Sequence, residues 1–187
     1  MPIEVEKKYR LTKKQRELVL RRLPEIGATP QGEEFEENTL YQGAALRLAQ
    51  CILRLRRVGG RAVLTYKERF PTSSSSSSSI KHHREDETEV ADADAMEAIL
   101  DALGFTPALV YEKRRATWRL DDAEIVIDEL PFGLFMEIEA PETEIRKVER
   151  ELAVKGLKAE HATYPQLTER HGKTHSGVIE ARFTDEE

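Results

Sequence analysis

The sequence predicts an α+β fold in which charged strands close into a β-barrel with a polar interior, flanked by α-helices. Three observations carry this prediction: charged residues recur two apart in successive strand-like segments, acidic and basic segments alternate along the chain, and helices with readable ends separate them. A single such segment describes a wet sheet face. A series of mixed sign suggests strands wrapped so that their charged faces converge.

The first segment contains Glu4-x-Glu6-x-Lys8. Side chains alternate along a strand, so Glu4, Glu6 and Lys8 share one face while Val5, Lys7 and Tyr9 share the other. Taken alone, the triplet fits a solvated edge strand equally well. The spacing recurs in Leu53-Arg54-Leu55-Arg56, in Leu64-Thr65-Tyr66-Lys67 and in Glu87-x-Glu89. It continues in Lys113-x-Arg115, in Ile125-Val126-Ile127-Asp128 and in Met136-Glu137-Ile138-Glu139. Gly59-Gly60 reads as the hairpin turn between two of these strands.

Helices are expected between the strands. Thr12-x-x-Gln15 has the pattern of a capping box opening a helix through Leu18, Val19 and Leu23, with Pro24 limiting its last turn before Gly27. Asp92 caps a second helix, whose stripe is Met96, Ile99, Leu100 and Leu103 and whose end is marked by Gly104. A third runs from about Glu142 to Lys155, with Ile145, Val148, Leu152 and Ala153 toward the core. A short last helix begins at Pro165. The chain is expected to be one domain, 1–187, with a flexible serine-rich connection at about 71–83 and a C-terminal tail at about 173–187. Lys81-His82-His83-Arg84 is taken as part of that connection, a solvated basic loop, since adjacent histidines on a strand point apart.

Composition narrows the function. The 29 Lys and Arg residues against 35 Asp and Glu give a net charge of −6, which argues against broad nucleic-acid binding. No apolar run approaches membrane-spanning length, and the N-terminus lacks the basic-then-apolar order of a signal peptide, so a cytoplasmic protein is expected. The lone Cys51 cannot form an intramolecular disulfide and suits a core position. His161, His171 and His175 show no metal spacing, and no glycine-rich nucleotide loop is present.

The charged faces have a chemical match. Paired carboxylates suit a hard divalent ion such as Mg²⁺ or Mn²⁺. Lys8, Arg54, Arg56, Lys67, Lys113 and Arg115 suit the oxygens of a polyphosphate, arginine as a bidentate fork and lysine as a point charge.

In order and spacing these segments resemble the CYTH superfamily, the triphosphate tunnel metalloenzymes. The stretch Gly133 to Glu139 belongs to the resemblance, as does Ala162-Thr163-Tyr164-Pro165-Gln166-Leu167, which is similar to the family's Ser-Tyr-x-x-Leu-Leu motif with Thr163 in place of serine. The resemblance implies an eight-stranded antiparallel tunnel. It implies a metal held among Glu4, Glu6, Glu137 and Glu139, with Glu87, Glu89 and Asp128 nearby, and the six cations above as the catalytic and substrate-binding set. The substrate would be tripolyphosphate, thiamine triphosphate or ATP, and a homodimer stays open. The favoured activity is triphosphate hydrolysis, because water is always available. Class IV adenylate cyclase activity, forming cyclic AMP and pyrophosphate, is the alternative, and a noncatalytic polyphosphate-binding module is the third reading.

Overall fold

The computed structural model describes residues 3–43, 46, 51–69, 81–154 and 156–184. Its strands are β1 (Ile3–Leu11), β2 (Thr29–Gln42), β3 (Cys51–Val58), β4 (Arg61–Arg69), β5 (Lys81–Val90), β6 (Thr106–Leu120), β7 (Ala123–Leu130), β8 (Gly133–Glu139), β9 (Lys173–His175) and β10 (Val178–Ala181). The helices are α1 (Lys13–Glu25), α2 (Ala93–Ala102), α3 (Glu142–Glu151) and α4 (Tyr164–His171).

Strand order runs β2-β3-β4-β5-β1-β8-β7-β6, and β6 pairs back onto β2, which closes an eight-stranded ring. Every pairing in the ring is antiparallel. Closure rests on two long strands, β2 and β6, which pair from Thr29↔Arg119 to Gln42↔Thr106. The β3–β4 hairpin turns at Gly59 (φ 53) and Gly60 (φ 77), and a two-residue turn of this kind needs positive φ at both positions.

Alternation sorts each strand into an outer and an inner face. On the outside, Tyr9 and Leu11 of β1, Ile125 and Ile127 of β7, and Met136 and Ile138 of β8 meet Val19 and Leu23 of α1 and Ile145 and Val148 of α3. A second outer cluster packs Leu100 of α2, with Met96, against Tyr41, Leu55 and Ala62. The third cluster forms the floor at one end of the barrel. There Leu40, Leu109, Leu130 and Phe135 meet Tyr164 and Leu167 of α4.

The helix ends follow from local chemistry. Thr12 and Gln15 form a reciprocal capping box for α1, and Thr163 and Gln166 form another for α4. Asp92 accepts hydrogen bonds from the backbone N–H groups of Asp94 and Ala95 at the start of α2.

Three sequence expectations change. The helix expected to reach Lys155 ends at Glu151, and Ala153, at φ 54, is exposed rather than in the core. The expected C-terminal tail is a β9–β10 hairpin through Ala181, with β10 parallel to β6 at Leu109–Tyr111. Its turn at Ser176 and Gly177 and the alternation after it were readable signals. The expected basic loop at Lys81–Arg84 is instead the start of β5, paired with Ile3–Glu6 of β1. The serine run Ser73–Ser79 lies outside the described residues.

The floor makes a stability prediction. Leu167 is buried among aromatic and aliphatic side chains, so Leu167→Ala should cost about 3 kcal/mol, the typical penalty for a truncated core leucine. Urea unfolding monitored by circular dichroism measures this; a loss below about 1 kcal/mol would show that α4 does not seal the barrel.

Candidate active site

On four of the strands, apolar inner residues near the floor give way to polar and charged ones farther along. On β2 the inner series runs from Leu40 to Asn38, Glu36 and Glu34; on β6 it runs from Leu109 to Tyr111, Lys113 and Arg115. On β7 it runs from Leu130 to Asp128, Val126 and Glu124, and on β8 from Phe135 to Glu137 and Glu139. The barrel is therefore sealed by apolar side chains at one end and rimmed by carboxylates at the other, with a belt of cations between.

The register places cations opposite carboxylates. Lys8 lies across from Glu137, Lys67 from Glu85, Lys113 from Glu36 and Arg115 from Asp128. These cross-strand partners are ion pairs, at 3.1 Å for Lys8–Glu137, 2.8 Å for Lys67–Glu85 and 3.4 Å for Lys113–Glu36. Arg115 grips Asp128 bidentately, its Nε donating to Oδ1 at 2.7 Å and its Nη2 to Oδ2 at 2.6 Å. The same Nη2 donates to Glu137 at 2.9 Å. Direct opposition brings side chains within reach of each other, so alternation plus register writes the network.

Arg54 and Arg56 complete the belt from β3. The Nη2 of Arg54 donates to Thr65 at 3.2 Å and to Glu87 at 3.3 Å, and lies 3.5 Å from Glu85. Arg56 donates to Glu87 at 3.2 Å, and Thr65 donates to the same oxygen at 2.7 Å. The Nε atoms of both arginines are buried and have no hydrogen-bond partner among the described residues.

The floor also touches the chemistry. Tyr164 donates to Asp128 at 2.7 Å, and the Lys8 ammonium lies 3.7 Å from the centroid of its ring. Lys8 also donates to the carbonyl of Ala162 at 3.4 Å. The segment before and into α4 thus fixes Lys8 and Asp128 from below.

Burial and charge compete over protonation. Burial alone would raise the carboxyl of Glu36, but Lys113, then Arg115 and Arg56, pull it from 4.5 down to about 2. Burial likewise works upward on Glu137, and Lys8 and Arg115 hold it below the ordinary carboxylate range. Burial followed by the neighbouring Arg115 lowers Lys113, against the pull of Asp128, Glu36 and Glu137. Burial and then the Asp128 charge push the Tyr164 phenol well upward, so it stays a donor.

The six expected cations converge on this interior. The expected metal carboxylates fall into groups. Asp128, Glu137 and Glu87 are engaged by the cations described above. Glu89 sits at the rim, where Arg61 bridges it at 3.4 Å and Glu34 at 2.9 Å. Glu6 lies directly across from Glu139, and Glu139 from Glu124, so three strands place three carboxylates on one rung near the mouth. The side chain of Glu4 lies outside the described residues. Among the described residues, no three His, Cys, Asp or Glu side chains are already gathered as a metal site. A recess of ≈ 320 Å³ opens at the rim between Glu34, Arg56, Arg61, Glu87 and Glu89. A larger groove, ≈ 880 Å³, lies outside the barrel between α2 and β10 and contains none of the six cations.

Sequence reasoning missed Glu36, Asn38, Glu85 and Glu124. Glu36 and Asn38 belong to β2, whose Glu33-Glu34-Phe35-Glu36-Glu37 run resembles a solvated acidic stretch. The available signal was the two-residue period that puts Glu34, Glu36, Asn38 and Leu40 on one face.

The site is a closed antiparallel barrel lined by paired cations and carboxylates, with carboxylates at its rim. The CYTH domain model matches residues 2–166, and the chain belongs to the CYTH family, whose members process triphosphates. Among solved structures, PH1012 from Pyrococcus horikoshii OT3 is 26% identical, with a TM-score of 0.73, over 88% of this chain and 98% of that one. A Vibrio parahaemolyticus protein put forward as an adenylate cyclase is 22% identical, with a TM-score of 0.66, over 87% and 95% of the two chains. HpAC1 from Hippeastrum, named for adenylyl cyclase and described with a dominant triphosphatase activity, is 21% identical, with a TM-score of 0.66, over 94% and 99%. These last two likenesses are of fold. None of the curated proteins matches the chain.

The charge network makes an acid-stability prediction. A carboxyl with a folded pKa below its unfolded value contributes stability that is complete above the unfolded pKa and lost as pH falls through the folded one. For Glu36 that window runs from 4.5 down to about 2, and Glu137 shifts in the same direction. Urea-unfolding free energy should therefore fall progressively below pH 4.5, and Asp128→Asn, which removes the carboxylate that Arg115 grips bidentately and leaves it Glu137, should cost about 1–3 kcal/mol at neutral pH. Stability unchanged between pH 4.5 and 2.5 would contradict ionised tunnel carboxylates.

Proposed function

We propose that this protein is a metal-dependent triphosphatase of the cytoplasm, cleaving a terminal phosphoanhydride of an inorganic or organic triphosphate. The observation that carries this reading is the pair of buried Nε donors on Arg54 and Arg56, two of the belt cations, which have no hydrogen-bond partner among the described residues. Buried donors are ordinarily satisfied. Phosphate oxygens are suitable acceptors, and arginine presents its N–H groups in the geometry they need.

Charge balance supports a metal partner. Among the described residues, six belt cations face five carboxylates, Glu36, Glu85, Glu87, Asp128 and Glu137, which leaves one excess positive charge. A triphosphate carries about four negative charges at neutral pH, more than that excess offsets. Carboxylate oxygens suit a hard divalent ion, and the rim places Glu6, Glu139 and Glu124 on one rung with Glu4 two residues from Glu6. Mg²⁺ or Mn²⁺ would be held there, and when bound would neutralise the phosphate chain and make a coordinated water more acidic.

The chain's own residues then have separable tasks. Arg54, Arg56, Lys113 and Arg115 grip the phosphate chain, and Lys8 and Lys67 add point charges from the neighbouring walls. Asp128 holds Arg115 in one orientation, and Tyr164 holds Asp128. The barrel wall excludes bulk water, which strengthens each of these contacts. In the reaction, the oxygen of water attacks the terminal phosphorus, the bond to the bridging oxygen breaks, and orthophosphate and the shortened phosphate leave.

A product assay with tripolyphosphate, thiamine triphosphate and ATP, each with Mg²⁺ or Mn²⁺, tests the reading. Orthophosphate release is expected; cyclic AMP with pyrophosphate from ATP, and little orthophosphate from tripolyphosphate, would replace it with a cyclase. Glu6→Gln should lower kcat by about 10- to 100-fold, the usual range for disturbing a metal site, while leaving the fold intact. Unchanged turnover in that variant would remove the first-strand carboxylates from the metal's surroundings.

A further inference from the structure

Glu36 differs from the other carboxylates of the tunnel. It comes from β2, on the wall across the barrel from the β1–β8 rim carboxylates, and it is 1% exposed. Its oxygens face Lys113 at 3.4 Å, Arg56 at 3.9 Å and Arg115 at 3.9 Å, three of the four cations assigned to grip phosphate. Two residues along the same face, Asn38 is fully buried and donates its side-chain N–H to Glu36 at 3.2 Å. The Oδ1 of Asn38 is buried and has no hydrogen-bond partner among the described residues. The amide therefore holds one carboxylate oxygen in place while its own acceptor stays unpaired among the described residues.

We propose that Glu36, oriented by Asn38, is a built-in counter-anion that competes with bound phosphate for Lys113, Arg115 and Arg56 and so sets the rate at which the phosphate product leaves. It is a positioning residue, acting through those three cations. This rests on the triphosphate reading and adds a role that reading does not need. Salt bridges at 3.4–3.9 Å are looser than the 2.6–2.9 Å contacts of Asp128 and Glu137 to Arg115. Asp128 and Glu137 lock the arginine, while Glu36 stands at a distance from which phosphate oxygens can take over the cations. When the product leaves, Glu36 recovers them, and no buried cation is stranded without a partner. An uncompensated charge in so enclosed a place is strongly unfavourable, so a tunnel without this carboxylate would hold product more tightly.

The test is calorimetric titration of pyrophosphate in the presence of Mg²⁺, with steady-state kinetics on tripolyphosphate. Glu36→Gln should bind pyrophosphate at least fivefold more tightly than the natural chain, and its kcat and KM should fall together. Glu36→Asp, which keeps the charge, should restore Kd to within twofold. Asn38→Asp, which adds a second anion beside the first, should weaken pyrophosphate at least fivefold, and this arm decides the question if Glu36→Gln does not fold. A site that Glu36 merely props open would instead bind more weakly in Glu36→Gln, with KM raised. Equal or weaker binding in Glu36→Gln, or unchanged binding in Asn38→Asp, overturns the counter-anion role while leaving the triphosphate reading standing. Failure of the natural chain to bind either pyrophosphate or tripolyphosphate overturns both.

Discussion

Cations buried inside a closed barrel must meet anions at the next rung, and most of this structure follows from that requirement. Removing a charge from water costs several kcal/mol even after relaxation, and attraction offsets this only where geometry is good and remaining donors are satisfied. The chain meets the condition through register. Lys8, Lys67, Lys113 and Arg115 each lie directly across a strand pair from a carboxylate. A slip of one residue in any of these pairings would turn the charged set outward and the apolar set inward. The outer clusters around α1, α3 and α2 therefore do more than stabilise: by fixing which face is apolar, they fix which face is charged.

The same requirement divides the barrel along its axis. At the sealed end, Leu40, Leu109, Leu130 and Phe135 meet α4, and Tyr164 reaches from that floor to hold Asp128. Above it the belt is nearly neutral, and at the rim carboxylates collect. A belt with a large positive excess would trap any polyanion and release it slowly. A nearly balanced one favours a polyanion that brings its own divalent cations, and the rim carboxylates are placed to share them. On the proposed reading, preference for a metal-bound triphosphate over a bare anion comes from the arithmetic of pairing rather than from any single residue.

Much of this was legible in the sequence because period-two alternation is a local property. Glu4-x-Glu6-x-Lys8, Arg54-x-Arg56 and Lys113-x-Arg115 each display it within five residues, and the Gly59-Gly60 turn and the Thr12 and Asp92 caps are equally local. What escaped was non-local. Glu36 gains meaning only when β2 closes onto β6, more than seventy residues away in sequence, and Glu85 only when β5 pairs with β4. The division of carboxylates between cation partners and rim is likewise a matter of depth along the barrel, which spacing does not encode. The C-terminal hairpin was missed because a short strand has no visible purpose until the exposed flank of β6 that it covers is in place.

The claim that the tunnel is charge-compensated, and so takes a triphosphate only together with a divalent ion, is open to one direct measurement: calorimetric titration of tripolyphosphate into the protein with and without Mg²⁺ at fixed ionic strength. Binding should be at least tenfold tighter with the metal, since the belt alone offers one excess positive charge against about four negative ones. Equal affinity in the two titrations would contradict it, showing that the lysines and arginines of the belt hold the triphosphate unaided.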